Sequence, residues 1–160
     1  MTIKLGIVMD PISAINIKKD TSFAMLTEAQ KRGYELYYIE MGDLYILNGE
    51  PRATSKILSV QNDPENWYTF ESELDICLGD LDTLLMRKDP PFDSEFLYAT
   101  QIFELAENLG CLVVNKASAL RDFNEKLFTS WFPELIPDTL VTSNNKLIRA
   151  FHAKHKDIIC

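Results

Sequence analysis

The sequence predicts an α/β fold: a parallel sheet with helices on both faces, an antiparallel hairpin excursion, and then the beginning of an α+β unit. Three observations predict it. Short apolar runs at 3–9, 34–41, 83–86 and 111–114 have the length and composition of strands buried in a parallel sheet. Segments of helical period lie between the first pair, which makes a βαβ unit with a right-handed crossover, and between the last pair, where a second strand–helix–strand unit resumes the α/β pattern. Between these units Asn48-Gly49, a strong hairpin signal, interrupts the alternation.

Each element has its own justification. The run 3–9 ends at Asp10-Pro11, because proline cannot continue a central strand. Asp20 or Thr21 caps a helix whose apolar face carries Phe23, Ala24, Leu26 and Ala29, and Gly33 stops it. Leu44-Tyr45-Ile46-Leu47 and the segment 56–60 flank the Asn48-Gly49 turn, and Asp63-Pro64 turns the chain into Trp67-Tyr68-Thr69-Phe70. Asp93 caps a second helix carrying Phe96, Ala99, Phe103 and Ala106, which Gly110 ends. The segment 115–120 reads as a linker. Beyond it, Asn124 or Asp122 caps a short helix, 139–142 is a strand, 145–154 a helix, and 157–160 the start of another strand. Phe128, Trp131 and Phe132, at helical spacing, are expected in a core. The domain boundary is therefore drawn between 1–120 and 121–160.

Bulk properties narrow the function. The chain has 160 residues, 46% hydrophobic and 25% charged, as ordinary globular proteins do. A formal charge of -8 gives no basic footprint for nucleic acid, and no stretch is long enough for a membrane span. Cys77, Cys111 and Cys160 form no CxxC pair, which fits thiols in a reducing compartment and a cytoplasmic protein. His152 and His155 lack a second ligand pair, so no metal site is expected. Both are read as exposed.

Ligands of open parallel sheets gather at the carboxyl ends of the strands. Two such ends are chemically loaded here. Asp10-Pro11 offers a carboxylate on a stiff loop, suited to a small molecule with an ammonium group, or else Asp10 simply caps the loop. Without a glycine in that loop no dinucleotide cradle exists. Arg87-Lys88-Asp89-Pro90-Pro91 places a guanidinium directly after a strand, matched to a carboxylate, or else marks a solvated charged face. Lys126, near an expected helix start, is placed to reach a phosphate, though Asn124-Glu125-Lys126 is also an ordinary capped start.

Three runs together resemble the prokaryotic glutathione synthetases: Leu5-Gly6-Ile7-Val8-Met9-Asp10-Pro11, Met86-Arg87-Lys88-Asp89-Pro90-Pro91-Phe92-Asp93, and Leu120-Arg121-Asp122-Phe123-Asn124-Glu125-Lys126-Leu127-Phe128. The resemblance covers essentially all 160 residues. It implies a Rossmann-like pre-ATP-grasp domain followed by the beginning of an ATP-grasp α+β subdomain. It implies an ATP-dependent ligase joining γ-glutamylcysteine and glycine through an acyl phosphate, with magnesium, in a homo-oligomeric enzyme. Asp10, Arg87 and Asp89 become peptide-substrate residues and Lys126 an ATP contact. No catalytic residue and no metal ligand falls within the chain. Most of the nucleotide machinery of the family would lie past residue 160, so the segment alone is expected to be inactive and to hold no cofactor tightly. A truncated, non-catalytic interface module and a related ATP-grasp ligase for another peptide are the rival readings. Ala117 departs from the family, which commonly has proline after Asn-Lys, and a looser linker is expected there.

Overall fold

The computed structural model describes residues 2–88, 91–123 and 126–159. It divides into two compact units, Met1–Arg121 and Asp122–Cys160. In the first unit, seven strands form one sheet: β1 (Lys4–Met9), β2 (Glu35–Ile39), β3 (Leu44–Leu47), β4 (Glu50–Val60), β5 (Tyr68–Cys77), β6 (Thr83–Arg87) and β7 (Leu112–Val114). Helices α1 (Thr21–Lys31), α2 (Ser94–Asn108) and α3 (Ala117–Asp122) complete it.

Strands β2, β1, β6 and β7 lie side by side and parallel. The hairpin expected as an excursion is continuous with them. β4 runs antiparallel to β2 through residues 56–58 and to β3 through 50–53, while β5 covers its other edge. A bulge in β5 falls where the pairing jumps from Lys56↔Glu73 to Leu58↔Phe70.

Alternation of side chains divides the core between the two faces. Leu5, Ile7 and Met9 of β1, with Leu36 and Tyr38 of β2, meet Phe23 and Leu26 of α1. Val8, Tyr37, Ile39, Leu84 and Met86 point the other way, onto Ala99, Phe103 and Ala106 of α2. One helix therefore covers each face, as the sequence predicts. Both expected caps form: Asp20 accepts from the Phe23 N–H at 2.7 Å and Asp93 from the Phe96 N–H at 3.0 Å. Gly33, with φ of 79°, takes the left-handed conformation that ends α1.

The loop after β1 is pinned from two sides. The Ile12 N–H donates to Tyr38 Oη at 3.1 Å, and Trp67 Nε1–H donates to the Ile12 carbonyl at 2.9 Å. Ile12 is buried, so these bonds answer polar groups that water does not reach.

The region read as a linker is helical instead. In α3 the Ala117 N–H donates to Glu107 Oε1 at 3.1 Å, and Arg121 pairs with Glu104 at 3.0 Å, both on α2. The alanine that replaces the family's proline thus supplies a donor that proline lacks, and the local geometry is held rather than loosened.

The second unit departs further from expectation. Residues 128–131 form a 3₁₀ turn rather than an α-helix, followed by another at 133–135 and by α4 (Asn145–His155), whose N-cap is Asn144. No strand forms at 139–142 or 157–159. Trp131 and Phe132 are exposed rather than core, although the Phe128 ring packs at a tilt against Phe123 and Trp131 and edge-on against Phe132. His152 is exposed as expected. His155 is only partly so: its ring lies 4.3 Å from that of Phe151, and its Nε2 stands 3.5 Å from Asp138.

Candidate functional site

The strand order puts β1 between β2 and β6. From β1 the chain crosses one face through α1, and from β6 it crosses the other through α2. The carboxyl ends of β1 and β6 therefore flank a topological switch point, where a crevice opens in sheets of this kind. Register aligns Met9 with Arg87 across this pair, so Asp10 and Lys88 emerge next to each other.

Their side chains meet. Lys88 Nζ lies 2.8 Å from an Asp10 carboxylate oxygen. Arg87 turns toward the start of α1, where its Nε–H donates to Ser22 Oγ at 3.1 Å and its Nη2–H to Thr21 Oγ1 at 2.7 Å. A polar cleft of about 360 Å³ lies here, lined by Met9, Asp10, Lys19, Thr21, Ser22 and Arg87 among others. Tyr38 holds the loop after β1 that contributes to this cleft: its phenol donates to Glu40 at 2.6 Å while accepting from the Ile12 N–H. Burial, foremost, and the Glu40 hydrogen bond push that phenol well above its ordinary titration range, so it stays a neutral donor.

Of the residues singled out from sequence, the structure brings Asp10 and Arg87 to one strand edge. Asp89 lies outside the described residues, as do Asn124 and Cys160. Lys126 belongs to the second unit, exposed, in the turn leading to the 3₁₀ segment; its carbonyl accepts from Thr129 Oγ1 at 2.7 Å. The start of an α-helix that would have aimed it is not formed among the described residues. Thr21 was read only as a possible helix cap, and Ser22 and Lys19 not at all. Pairing between residues more than sixty apart leaves no local signal. The one clue available was a pair of hydroxyls opening a helix at the ligand edge of the sheet.

Among the described residues no three histidine, cysteine or acidic side chains converge as metal ligands, and no helix is long and apolar enough to cross a membrane.

A three-layer α/β domain with a polar cleft at its switch point is the class that fold and site define. Comparison with known proteins narrows it. Residues 3–121 match the family model of the prokaryotic glutathione synthetase N-terminal domain, and 125–160 match that of the prokaryotic glutathione synthetase ATP-grasp domain. Over 157 residues, 98% of the chain, it is 64% identical to the glutathione synthetase of Photorhabdus laumondii, 66% to that of Yersinia pestis and 64% to that of Escherichia coli K12. The chain spans about half the length of the curated relatives it matches. It belongs to the prokaryotic glutathione synthetase family, ATP-grasp ligases of glutathione biosynthesis.

Proposed function

We propose that this chain forms the peptide-substrate side, and the entry to the ATP-grasp domain, of an enzyme that joins γ-glutamylcysteine to glycine. ATP phosphorylates the cysteinyl carboxylate, and the glycine amine then displaces phosphate from the acyl phosphate. The observation that carries the reading is the convergence of Asp10 and Arg87 on one polar cleft at the switch point, with Lys88 paired to Asp10.

The roles follow from charge. Arg87 binds a carboxylate of the peptide, for which a planar guanidinium is well shaped. Asp10 receives the ammonium group of the γ-glutamyl moiety, exchanging it against Lys88. Asp89, next to Lys88 in the sequence, is assigned to act with them. Lys126 offers a point charge to a nucleotide phosphate. Magnesium neutralises the transferring phosphoryl in such reactions. Among the described residues of this segment no three histidine, cysteine or acidic side chains converge, and its ligands are assigned to the ATP-grasp domain. The boundary between the two functional parts falls at 120/121.

The test is steady-state kinetics of the complete ligase carrying this segment. Arg87→Ala should raise the γ-glutamylcysteine KM about ten- to a hundredfold, the worth of a charge-assisted hydrogen bond, and leave the ATP KM alone. Unchanged peptide kinetics would sink the assignment. Residues 1–160 as a separate polypeptide should release no phosphate from ATP above a blank, even with magnesium, γ-glutamylcysteine and glycine present. Only 36 residues of the chain match the ATP-grasp domain, and losing one transition-state donor alone can cost ~10²–10³ in rate.

A further inference from the structure

A guanidinium is often paired with a carboxylate, frequently through two parallel hydrogen bonds. Arg87 is held by two hydroxyls instead, Ser22 Oγ on Nε and Thr21 Oγ1 on Nη2. Among the described residues no carboxylate pairs with it. Of the two carboxylates lining the same cleft, Asp10 faces Lys88 at 2.8 Å and Asp20 is engaged by the Phe23 N–H at 2.7 Å as the cap of α1. The difference matters electrostatically. A carboxylate would fix the guanidinium and cancel its charge, whereas a hydroxyl fixes it and leaves the charge for an incoming anion.

The two hydroxyls also sit on a rigid base. Thr21 and Ser22 are the first residues of α1, whose start is capped by Asp20 and whose body is anchored in the core by Phe23 and Leu26. Ser22 is 4% exposed, so its oxygen cannot swing away into water. Left to itself, an arginine side chain samples many rotamers, and ordering it on ligand binding weakens affinity. We propose that Thr21 and Ser22 are positioning residues for peptide-substrate binding: they pre-order Arg87 across the crevice, from the opposite strand's helix, without neutralising it. The inference rests on the reading of Arg87 as a substrate-carboxylate ligand.

The experiment uses the complete ligase carrying Thr21→Val, Thr21→Ser, Ser22→Ala, Arg87→Ala, and Thr21→Val combined with Arg87→Ala. For each, kcat and the KM values for γ-glutamylcysteine and ATP are measured, with a melting curve as a control on folding. Thr21→Val should raise the peptide KM about five- to thirtyfold, less than the charge-assisted bond itself is worth, because the guanidinium remains and loses only its placement. The ATP KM should stay within about twofold, and Thr21→Ser, which keeps the oxygen, should restore binding. In the Arg87→Ala background Thr21→Val should add nothing, since nothing remains to be positioned. Ser22→Ala, nearly isosteric, gives the same reading if the valine variant does not fold.

If Arg87→Ala raises the peptide KM but neither hydroxyl variant does, the positioning role is wrong while the substrate assignment stands. An undiminished Thr21→Val effect without Arg87 also overturns it, by showing that the hydroxyl acts on something else. If Arg87→Ala itself leaves the peptide KM unchanged, the underlying substrate reading fails and the inference falls with it.

Discussion

Lys88 Nζ stands 2.8 Å from Asp10 across the carboxyl ends of two neighbouring parallel strands. Seventy-eight positions of sequence separate the two residues, and the register Val8↔Met86, Met9↔Arg87 closes that distance. The lysine side chain is 25% exposed and the aspartate 37%. A pair this wet loses much of its attraction to water and salt, so its main effect is on the charge pattern of the cleft rather than on stability.

Lys88→Met should therefore lower unfolding free energy by less than about 1 kcal/mol in urea titrations at moderate salt. The same change leaves Asp10 without its lysine, beside the crevice that Arg87 borders. An anionic ligand of that crevice should bind more weakly, and added salt should narrow the gap between variant and parent. A stability loss above about 3 kcal/mol would mean that the pair is shielded from water and structural, contrary to its exposure.

Tyr38→Phe tests the pin on the loop after β1. Tyr38 is 2% exposed, and its hydroxyl answers the buried Ile12 N–H while reaching Glu40 at 2.6 Å. Phenylalanine fills the same space but leaves that amide without its acceptor. The expected cost is about 1–3 kcal/mol, the penalty for an unsatisfied buried donor. Amide exchange at Ile12 should rise with it, because the loop after β1 loses one of its two pins. Unchanged exchange at Ile12 would show that the Trp67 contact holds the loop unaided.

How much of this was legible in sequence differs between the two units. In Met1–Arg121 local signals agreed with the global fold: Asp20 and Asp93 capped the helices they preceded, Gly33 and Gly110 took positive φ at the helix ends, and Asn48-Gly49 turned the hairpin. The pairing of Arg87 with Thr21 and Ser22 was not legible, since contacts across a sheet edge depend on strand order. In the second unit the period of Phe128, Trp131 and Phe132 suggested a buried helical face, and Thr139-Leu140-Val141-Thr142 had strand propensity. Propensity without a partner strand does not make a strand, and the run 139–142 finds none among the described residues. The aromatics cluster instead on one another.

That contrast yields a prediction for native-state hydrogen exchange. The first unit buries Ile7, Val8, Leu26, Ile39, Leu84 and Phe103 almost completely. Among the described residues of 122–159, no side chain is classed as buried. Opening free energies track buried apolar contact. Amides of β1, β2 and β6 should exchange only through global unfolding, and those of α4 orders of magnitude faster. Equal protection in the isolated chain would show that the second unit gains cover from another copy.

The last prediction concerns alkaline pH. Burial, and next the charges of Asp82 and Glu107, push the Cys111 thiol up to about 11 from an ordinary 9.0. Burial and the Glu35 hydrogen bond push the Tyr37 phenol up to about 12 from 10.0. Both groups are neutral when protonated, so above the ordinary value the folded chain keeps a proton that the unfolded chain has lost. Stability must then fall as pH rises, since the native state binds more protons. The Cys111 contribution is intact below about pH 9 and is lost as pH climbs to about 11; the Tyr37 contribution declines between about 10 and 12. Urea midpoints measured at pH 8, 9.5 and 11 should descend. Cys111→Ala should flatten the first part of that descent, since alanine has no proton to lose. The Cys111 thiol should also react slowly with alkylating reagents at pH 8, because little of it is thiolate. A midpoint that falls equally steeply in Cys111→Ala would place the alkaline sensitivity elsewhere, with Tyr37 and Tyr38, both pushed up by burial, the next residues to replace by phenylalanine.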